Sequence, residues 1–295
     1  MQIVRPATVQ LIDTPLRVGE NPLWDDRSGR LLFADIPAPA LYAYDPGTGG
    51  VERWEMPATL GSFGLCADGR ALLALRTGLH FFDFATGKLE FFVHPEPDKP
   101  TNRLNDGKVG PDGRFWVGSM DDSGALKPTA ALYRVDPDGT CSRMAEDLIV
   151  SNGLAWSPDG LTLYHSDSRG RFLTAYDYDP QTGDISNRRL LRRFEEEDGR
   201  PDGAAMDAEG YYWSAGVSAG CLNRIAPDGE IVEKLLLPVP APTMTCFGGE
   251  DLRTLYVTSL ATDRTGTPIA GTLLRVEADV AGAPVGRFGA RLPGL

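Results

Sequence analysis

The apolar positions of this chain fall into short runs, and the same two-part phrase occurs six times along its 295 residues. In each phrase a turn opens an aromatic-rich apolar run, and a second apolar run that ends in another turn follows. The opening turns contain Gly29, Gly69, Gly113, Gly160, Gly210 and, in a weaker form, Leu252, so successive turns are 40, 44, 47, 50 and 42 residues apart. A period of about 40–50 residues built from strands and turns is typical of a β-propeller with one blade per repeat. The pattern therefore predicts an all-β, six-bladed propeller in which residues 1–295 form one domain.

The turn sequences and the absence of helical spacing support this prediction. Segments such as PDG, DPGTG and SPDG separate the apolar runs, and no segment keeps a helical apolar repeat over three turns, so we expect almost no helix. A propeller that stayed open would leave unpaired strand edges. Thr8–Asp13 alternates well enough to be a strand, and we expect it to pair with strands of the last repeat and close the ring.

The longest irregular insertion is Asp121–Ala130, between the two halves of the third repeat. A long loop in a tight scaffold is often a lid over a functional site. The alternative is an ordinary surface loop, and the sequence leaves both interpretations open.

Polar residues recur at one phase of the repeat, eight residues before the turn glycine. Four of the six repeats have a carboxylate or carboxamide there, if one extra residue is allowed in the first turn. These residues are Glu20, Asn105, Asn152 and Asp202. Residues of equal phase around a propeller should point to a common axis, near the start of each innermost strand. Any one of these residues could cap the end of a blade by accepting hydrogen bonds from backbone amides. Four of them at one phase favour a shared cation, because burying acids and amides costs free energy unless a cation or hydrogen bonds compensate them.

The residue types limit which cation could bind. Carboxylate and amide oxygens suit calcium, magnesium or manganese, and zinc and iron(II) also accept such ligands. The chain has three histidines and no HExxH motif, which argues against a histidine-based zinc centre. Of the three, His165 is the one most expected to line the axis. We therefore expect one divalent metal ion, with a central metal-binding channel.

Arg103 and Asn105 lie two residues apart in NRLNDGKV, so on a strand they share one face. An arginine directed at the axis could donate two hydrogen bonds to the hydroxyls or ring oxygen of a sugar-like molecule. The alternative is a surface arginine paired with Asp106 or Asp112.

Charge and cysteine usage restrict the partners. The net charge of −12 argues against a nucleic-acid partner, and no apolar stretch approaches the roughly 20 residues that span a bilayer. The N-terminus has no basic region followed by an apolar core, and the four widely separated cysteines are interpreted as buried free thiols. We expect a cytoplasmic monomer or small homo-oligomer that acts on a small molecule, without a membrane partner.

Several stretches, from the first repeat to the last, resemble the gluconolactonase and regucalcin (senescence marker protein) family. They are VGENPLWDD at Val18, NRLNDGKVGPDGRFWVGSM at Asn102, SNGLAWSPDGLTLYHSDS at Ser151, RPDGAAMDAEGYYW at Arg200 and CFGGEDLRTLYVT at Cys246. Members of that family are six-bladed propellers with one divalent cation in the central channel, so the resemblance implies the same fold and a bound cation here.

The resemblance also implies roles for individual residues. Glu20, Asn152 and Asp202 would be the metal ligands, and Asp202 would also be the catalytic base. Arg103 and Asn105 would bind substrate, together with either Asp121 or Asp122, since Ser119 stands where the family usually has threonine.

The implied activity is metal-dependent hydrolysis of an aldonic-acid lactone to the open-chain sugar acid. Three alternatives remain at this point: a related metal-dependent propeller esterase or phosphotriesterase, a non-catalytic calcium-binding protein similar to regucalcin, and a scaffold propeller that binds protein partners.

Overall fold

The computed structural model describes residues 1–262 and 271–294. Their strands form six sheets, arranged as the blades of a propeller. The six innermost strands contact one another in a closed ring, each touching the innermost strand of the next blade. These strands are β3 (Gly19–Asp25), β7 (Leu60–Leu65), β11 (Asn102–Val109), β15 (Ser151–Trp156), β19 (Pro201–Met206) and β23 (Pro242–Gly248). The predicted six-bladed propeller is confirmed.

The second and third strands of each blade are the apolar runs of the sequence pattern. The second strands are β4 (Arg30–Asp35), β8 (Ala71–Leu75), β12 (Phe115–Asp121), β16 (Thr162–Asp167), β20 (Tyr212–Gly216) and β24 (Thr254–Ser259). The third strands are β5 (Ala40–Tyr44), β9 (Gly78–Phe82), β13 (Ala130–Val135), β17 (Phe172–Asp179), β21 (Cys221–Ile225) and β25 (Gly271–Glu277).

The outermost strands show how the ring closes. In the first five blades they are β6 (Val51–Glu55), β10 (Leu89–Val93), β14 (Cys141–Leu148), β18 (Asp184–Arg193) and β22 (Ile231–Leu236). In the sixth blade the N-terminal strand β2 (Val9–Leu16) takes this place and pairs with β25, which confirms the expected closure. The sequence pattern did not indicate β1 (Gln2–Val4), which adds a parallel fifth strand to the fifth blade beside β22.

The apolar core is divided among the blade interfaces. Within the described residues it forms six clusters, one between each pair of neighbouring blades. Phe63 of the second blade, for example, packs in one cluster with Leu32 and Leu41 of the first. Each blade therefore buries its apolar faces against its neighbours and not within itself.

Helix is nearly absent from the described residues, as predicted: one 3₁₀ turn, Glu196–Asp198, interrupts the strands. No helix there is long and apolar enough to cross a membrane. The thiols of Cys66, Cys141 and Cys246 are free. Cys66, Cys221 and Cys246 are buried as expected, whereas Cys141 is only half-buried because it lies on an outermost strand.

The two faces of the ring differ. We call the face where the innermost strands begin the mouth, and the face where they end the base. Residues 281–294, here named the C-terminal strap, cross the base, and their backbone amides donate to carbonyls of three blades: Ala283 to Met206, Phe288 to Leu65 and Leu292 to Pro111. A cavity of about 290 Å³ remains between the strap and the ring, lined in part by Lys108, Trp156 and Cys246. The strap therefore lies across the ends of the innermost strands, on the face opposite the mouth.

Candidate active site at the mouth of the ring

Every innermost strand breaks its pairing with the second strand of its blade near the mouth. In the first, third, fourth and fifth blades the break spans two residues, after Glu20, Leu104, Asn152 and Pro201. A β-bulge of this kind releases residues from the ladder and re-aims their side chains. These are the four blades in which the sequence pattern places polar residues near the axis.

Asn152 and Asp202, fifty residues apart in sequence, are in direct contact. The Asn152 Nδ2 atom donates hydrogen bonds to Asp202 Oδ1 at 2.6 Å and to Ser168 Oγ at 3.0 Å. Glu20, from the first blade, is close enough to interact electrostatically with Asp202, and its carboxylate accepts a hydrogen bond from the Asn21 amide at 3.2 Å. The structure thus brings together the three side chains that the sequence pattern and the resemblance singled out as ligands.

A fourth buried acid, Asp106, belongs to the same group, and we call Glu20, Asp106, Asn152 and Asp202 the axial cluster. Asp106 is 5% exposed, and its Oδ2 atom accepts a hydrogen bond from the Leu154 amide at 3.3 Å. The sequence pattern suggested Asp106 only as a surface partner for Arg103. A signal was available in NRLNDGKV, where Asp106 directly follows Asn105, but simple strand alternation would place these two neighbours on opposite faces.

Burial and mutual repulsion disfavour the ionised form of these acids. Burial raises the pKa of Asp202 to about 8, and the negative charge of Asp106 adds to this rise. Burial also raises the pKa of Glu20 well above its usual value, with further contributions from Asp202 and Asp106. Burial raises the pKa of Asp106 as well, although the nearby Lys108 ammonium opposes that effect. A nearby positive charge would relieve the repulsion.

Two oxygens of the axial cluster lack partners. Among the described residues, Asn152 Oδ1 and Asp106 Oδ1 are buried without a hydrogen bond. An unsatisfied buried oxygen is unusual, and a hard cation is one group that would satisfy it. The described residues contain no group of three or more His, Cys, Asp and Glu side chains arranged to hold a metal ion, so a cation here would also need the Asn152 amide oxygen. The donor set of two carboxylates, from Glu20 and Asp202, and the Asn152 amide fits a divalent cation.

Arg103 and Asn105 lie beside the axial cluster and contact each other. The Arg103 side chain is 11% exposed, and its Nη1 atom donates to Asn105 Oδ1 at 2.8 Å. Asn105 Nδ2 donates to the Ser151 carbonyl of the next blade at 2.9 Å. The alternative of a surface arginine paired with Asp106 or Asp112 is wrong, because Asp112 pairs with Arg114 and the Arg103 guanidinium turns to other partners.

Asp121 and Asp122 have different surroundings. The Asp121 carboxylate accepts hydrogen bonds from the amide and hydroxyl of Ser123 at 3.1 and 2.9 Å and from the Lys127 amide at 3.0 Å. These bonds fold the loop between β12 and β13. The Asp122 carboxylate instead lies 3.4 Å from Arg103 Nε and also pairs with Arg76. Of the two aspartates, Asp122 is the one in contact with the arginine beside the axial cluster.

His165 has a structural position. It is fully buried, and its Nε2 atom lies 2.8 Å from Ser151 Oγ. Burial lowers the pKa of His165 to about 3, and the positive charge of Arg188 contributes. The neutral ring therefore joins β15 to β16 rather than lining the mouth.

Comparisons with known proteins place this architecture among its relatives. Residues 18–261 match the family model described as the SMP-30/Gluconolactonase/LRE-like region. The chain is 40% identical over 283 residues to a 6-deoxy-6-sulfogluconolactonase of Pseudomonas putida, covering 92% of this chain and 95% of that protein. It is 36% identical over 256 residues to regucalcin of Xenopus laevis, covering 84% and 85% of the two chains. Its fold matches that of the calcium-binding protein regucalcin of Agrobacterium tumefaciens with a TM-score of 0.88 and 28% identity, over 100% of both chains.

Proposed function

The chain belongs to the SMP-30/gluconolactonase/LRE-like family, as its motifs predicted, and we propose that it hydrolyses the ring ester of a sugar lactone to the open-chain sugar acid. The observation that carries the proposal is the axial cluster, in which buried acids and an unpartnered amide oxygen lie beside Arg103 and Asn105. The similarity to a protein named 6-deoxy-6-sulfogluconolactonase supports a lactone of a sugar acid as the substrate class.

We propose that Glu20, Asn152 and Asp202 hold one divalent cation, with the raised pKa of both acids and the unpartnered Asn152 Oδ1 as support. When bound, such a cation would act as a Lewis acid that polarises the lactone carbonyl and stabilises developing negative charge. Calcium, zinc, manganese, magnesium and iron(II) all suit these oxygen ligands. The match to a calcium-binding regucalcin favours testing calcium first.

Asp202 is the proposed general base. Its carboxylate takes a proton from water as the water oxygen attacks the carbonyl carbon of the lactone. The bond between that carbon and the ring oxygen then breaks, and the proton passes to the ring oxygen, which becomes a hydroxyl.

Arg103 and Asn105 are proposed to bind the substrate. Arg103 has donors in a fixed planar array that suit sugar hydroxyls or the ring oxygen. Asp122 holds Arg103 in place from the other side, so we propose that Asp122, rather than Asp121, completes this part of the site. Asp121 is proposed to shape the loop between β12 and β13, through its hydrogen bonds to Ser123 and Lys127.

We further propose a cytoplasmic location, supported by the free thiols of Cys66, Cys141 and Cys246. The expected assembly is a monomer or small homo-oligomer, with no nucleic-acid or membrane partner.

The proposal is tested by following acid release from a panel of aldonolactones with a pH indicator, with calcium, manganese, magnesium, zinc or iron(II) added and with a chelator. We expect turnover that the chelator abolishes and that Asp202→Ala removes. Turnover that survives both changes would contradict the mechanism. Calcium binding without turnover of any lactone would favour the non-catalytic alternative, and turnover of aryl esters or phosphotriesters alone would favour the esterase alternative.

A further inference from the structure

Two arginines stand at the mouth beside the axial cluster. Arg169 lies in the turn after β16, and Arg200 directly precedes β19. Ser168, the neighbour of Arg169, accepts the hydrogen bond from Asn152, and Arg200 is two residues before Asp202. Both arginines therefore extend from backbone that borders the proposed cation ligands.

The backbone beneath each arginine is fixed. Asp167, which is 1% exposed, accepts hydrogen bonds from the amides of Arg169 at 3.0 Å and Gly170 at 2.8 Å. The Arg200 amide donates to Ser218 Oγ at 3.0 Å, and its carbonyl accepts from the Val217 amide at 3.1 Å. The attachment points of both side chains are thus preorganised, which lowers the entropy cost of binding a ligand there.

Neither guanidinium group is held in an ion pair by the part of the chain that the structure describes. Within residues 1–262 and 271–294, neither Arg169 nor Arg200 makes a side-chain hydrogen bond or an ion pair. Arg171, on the same turn, is different: it pairs with Glu196 and donates from Nε to the Phe194 carbonyl at 3.1 Å. Unpaired arginines are notable in a chain whose net charge is −12.

The two groups are also close enough to repel. Arg200 is half-buried, and it lies near enough to Arg169 for their like charges to interact. The negative charge of Asp202 offsets part of this in the metal-free protein. A cation held by Glu20 and Asp202 would neutralise that negative charge. The repulsion between the two arginines would then be relieved only by an anion bound from solution.

We propose that Arg169 and Arg200 form a subsite for an anionic group, a phosphate or a sulfonate, on the terminal carbon of the sugar lactone, outside the ring. This inference rests on the lactonase function proposed above. Guanidinium groups bind the oxygens of such anions through paired, charge-assisted hydrogen bonds. The carbonyl end of the lactone then lies at the axial cluster and the charged end at the edge between the fourth and fifth blades.

The test measures the binding of open-chain acids to the cation-loaded protein by calorimetry, so that it needs no turnover. The probes are D-gluconate, 6-phospho-D-gluconate and 6-deoxy-6-sulfo-D-gluconate, which differ only at the terminal group. We expect both charged probes to bind at least about tenfold more tightly than gluconate. Their relative affinities distinguish a phosphate from a sulfonate subsite.

The selectivity ratio is the association constant of a charged probe divided by that of gluconate. This ratio is then compared among variants. Arg169→Ala should reduce the ratio, and Arg169→Glu should bring it to about one or below, because the reversed charge repels the anion. Arg200→Lys, which keeps the charge but loses the paired donors, should give an intermediate ratio. Arg27→Ala removes one exposed arginine from a turn at the base and should leave the ratio unchanged.

Two results would overturn the subsite: a ratio near one in the unmodified protein, or a ratio that neither the Arg169 nor the Arg200 variants alter. Hydrolysis of neutral gluconolactone is measured in parallel. If no lactone is hydrolysed while the ratio persists, the lactonase proposal fails and the anion subsite stands. If gluconolactone is hydrolysed and the ratio is near one, the lactonase proposal stands and the subsite fails.

Discussion

Two sets of blades use the mouth end of the innermost strand for different purposes. In the second and sixth blades the polar residues near the mouth satisfy their neighbours: Ser62 Oγ donates to the Asn105 carbonyl at 2.6 Å, and Thr243 Oγ1 bonds the Gly19 carbonyl and lies 2.9 Å from Thr258 Oγ1. In the first, third, fourth and fifth blades the axial cluster gathers like charges and unpartnered oxygens.

The second and sixth blades thus contribute to closing the ring, whereas the other four blades contribute to the proposed binding site. Neutral hydroxyls that bond the next blade stabilise the ring, whereas buried acids that repel one another destabilise the metal-free protein. The second blade also has no room for a ligand side chain, because a Cβ atom on Gly61 would lie 2.4 Å from the Leu104 carbonyl oxygen. Substitutions in the two sets should therefore have opposite effects on activity and stability.

The largest expected effect is on catalysis. Asp202→Asn removes the proposed base and should lower kcat for lactone hydrolysis by roughly 10³-fold or more. The same substitution removes a buried charge, so the metal-free protein at pH 8 should unfold at a higher temperature, by roughly 5 °C. Calorimetric unfolding and initial rates measure the two effects. An inactive variant whose metal-free form is less stable than the parent would contradict the view that the axial cluster destabilises the metal-free protein.

The affinity for the cation should depend strongly on pH. Asp202, with a pKa of about 8, and Glu20, with a raised pKa, must lose their protons before they bind a cation. Affinity should therefore fall as the pH drops below about 8, by about tenfold per pH unit for each proton displaced. Titration calorimetry in buffers of different ionisation enthalpy counts the protons. A dissociation constant that stays the same from pH 8 to pH 6 would contradict the raised pKa values.

Substitutions of Asp121 and Asp122 should also have different effects, one on the structure of a loop and the other on substrate binding, and both should be smaller. Asp122→Asn weakens the support of Arg103, and we expect KM for the lactone to rise about tenfold with a smaller change in kcat. Asp121→Asn loosens the loop between β12 and β13, and limited proteolysis there should become faster. The reverse assignment, with Asp121→Asn raising KM and Asp122→Asn leaving it unchanged, would show that Asp121 faces the substrate.

The smallest expected effect is in the sixth blade. Thr243→Val removes the hydroxyl that links β23 to β3 and should cost about 1–2 kcal/mol of unfolding free energy. Lactone hydrolysis should stay within about twofold of the parent, because Thr243 belongs to ring closure and not to the axial cluster. Denaturant unfolding measures the loss. A large fall in kcat with unchanged stability would place Thr243 in the site instead.

The repeat spacing is enough to predict the ring, and the backbone of the turns explains why. The six turn positions that align the repeats all adopt a positive φ, including Leu252 at 55°, although leucine rarely tolerates it. The weaker sixth match is therefore a true repeat position. Because the phase of the repeats is correct, spacing along the chain predicts that Glu20, Asn152 and Asp202 lie together.

Other features carry no periodic signal. Asp106 joins the axial cluster through a bulge that breaks strand alternation, and the bulge cannot be located from spacing alone. The C-terminal strap has no strand pattern, because irregular backbone bonds hold it to the base. The choice between Asp121 and Asp122 depends on hydrogen bonds within one loop, which neighbouring letters of the sequence do not distinguish.

The central claim is that three blades hold one cation through Glu20, Asn152 and Asp202. Anomalous diffraction from a crystal grown with manganese tests it directly. We predict one strong peak at the mouth, within about 2.5 Å of oxygens from all three side chains. A crystal in which manganese binds elsewhere, or in which the Asn152 oxygen points away from the peak, would contradict the account.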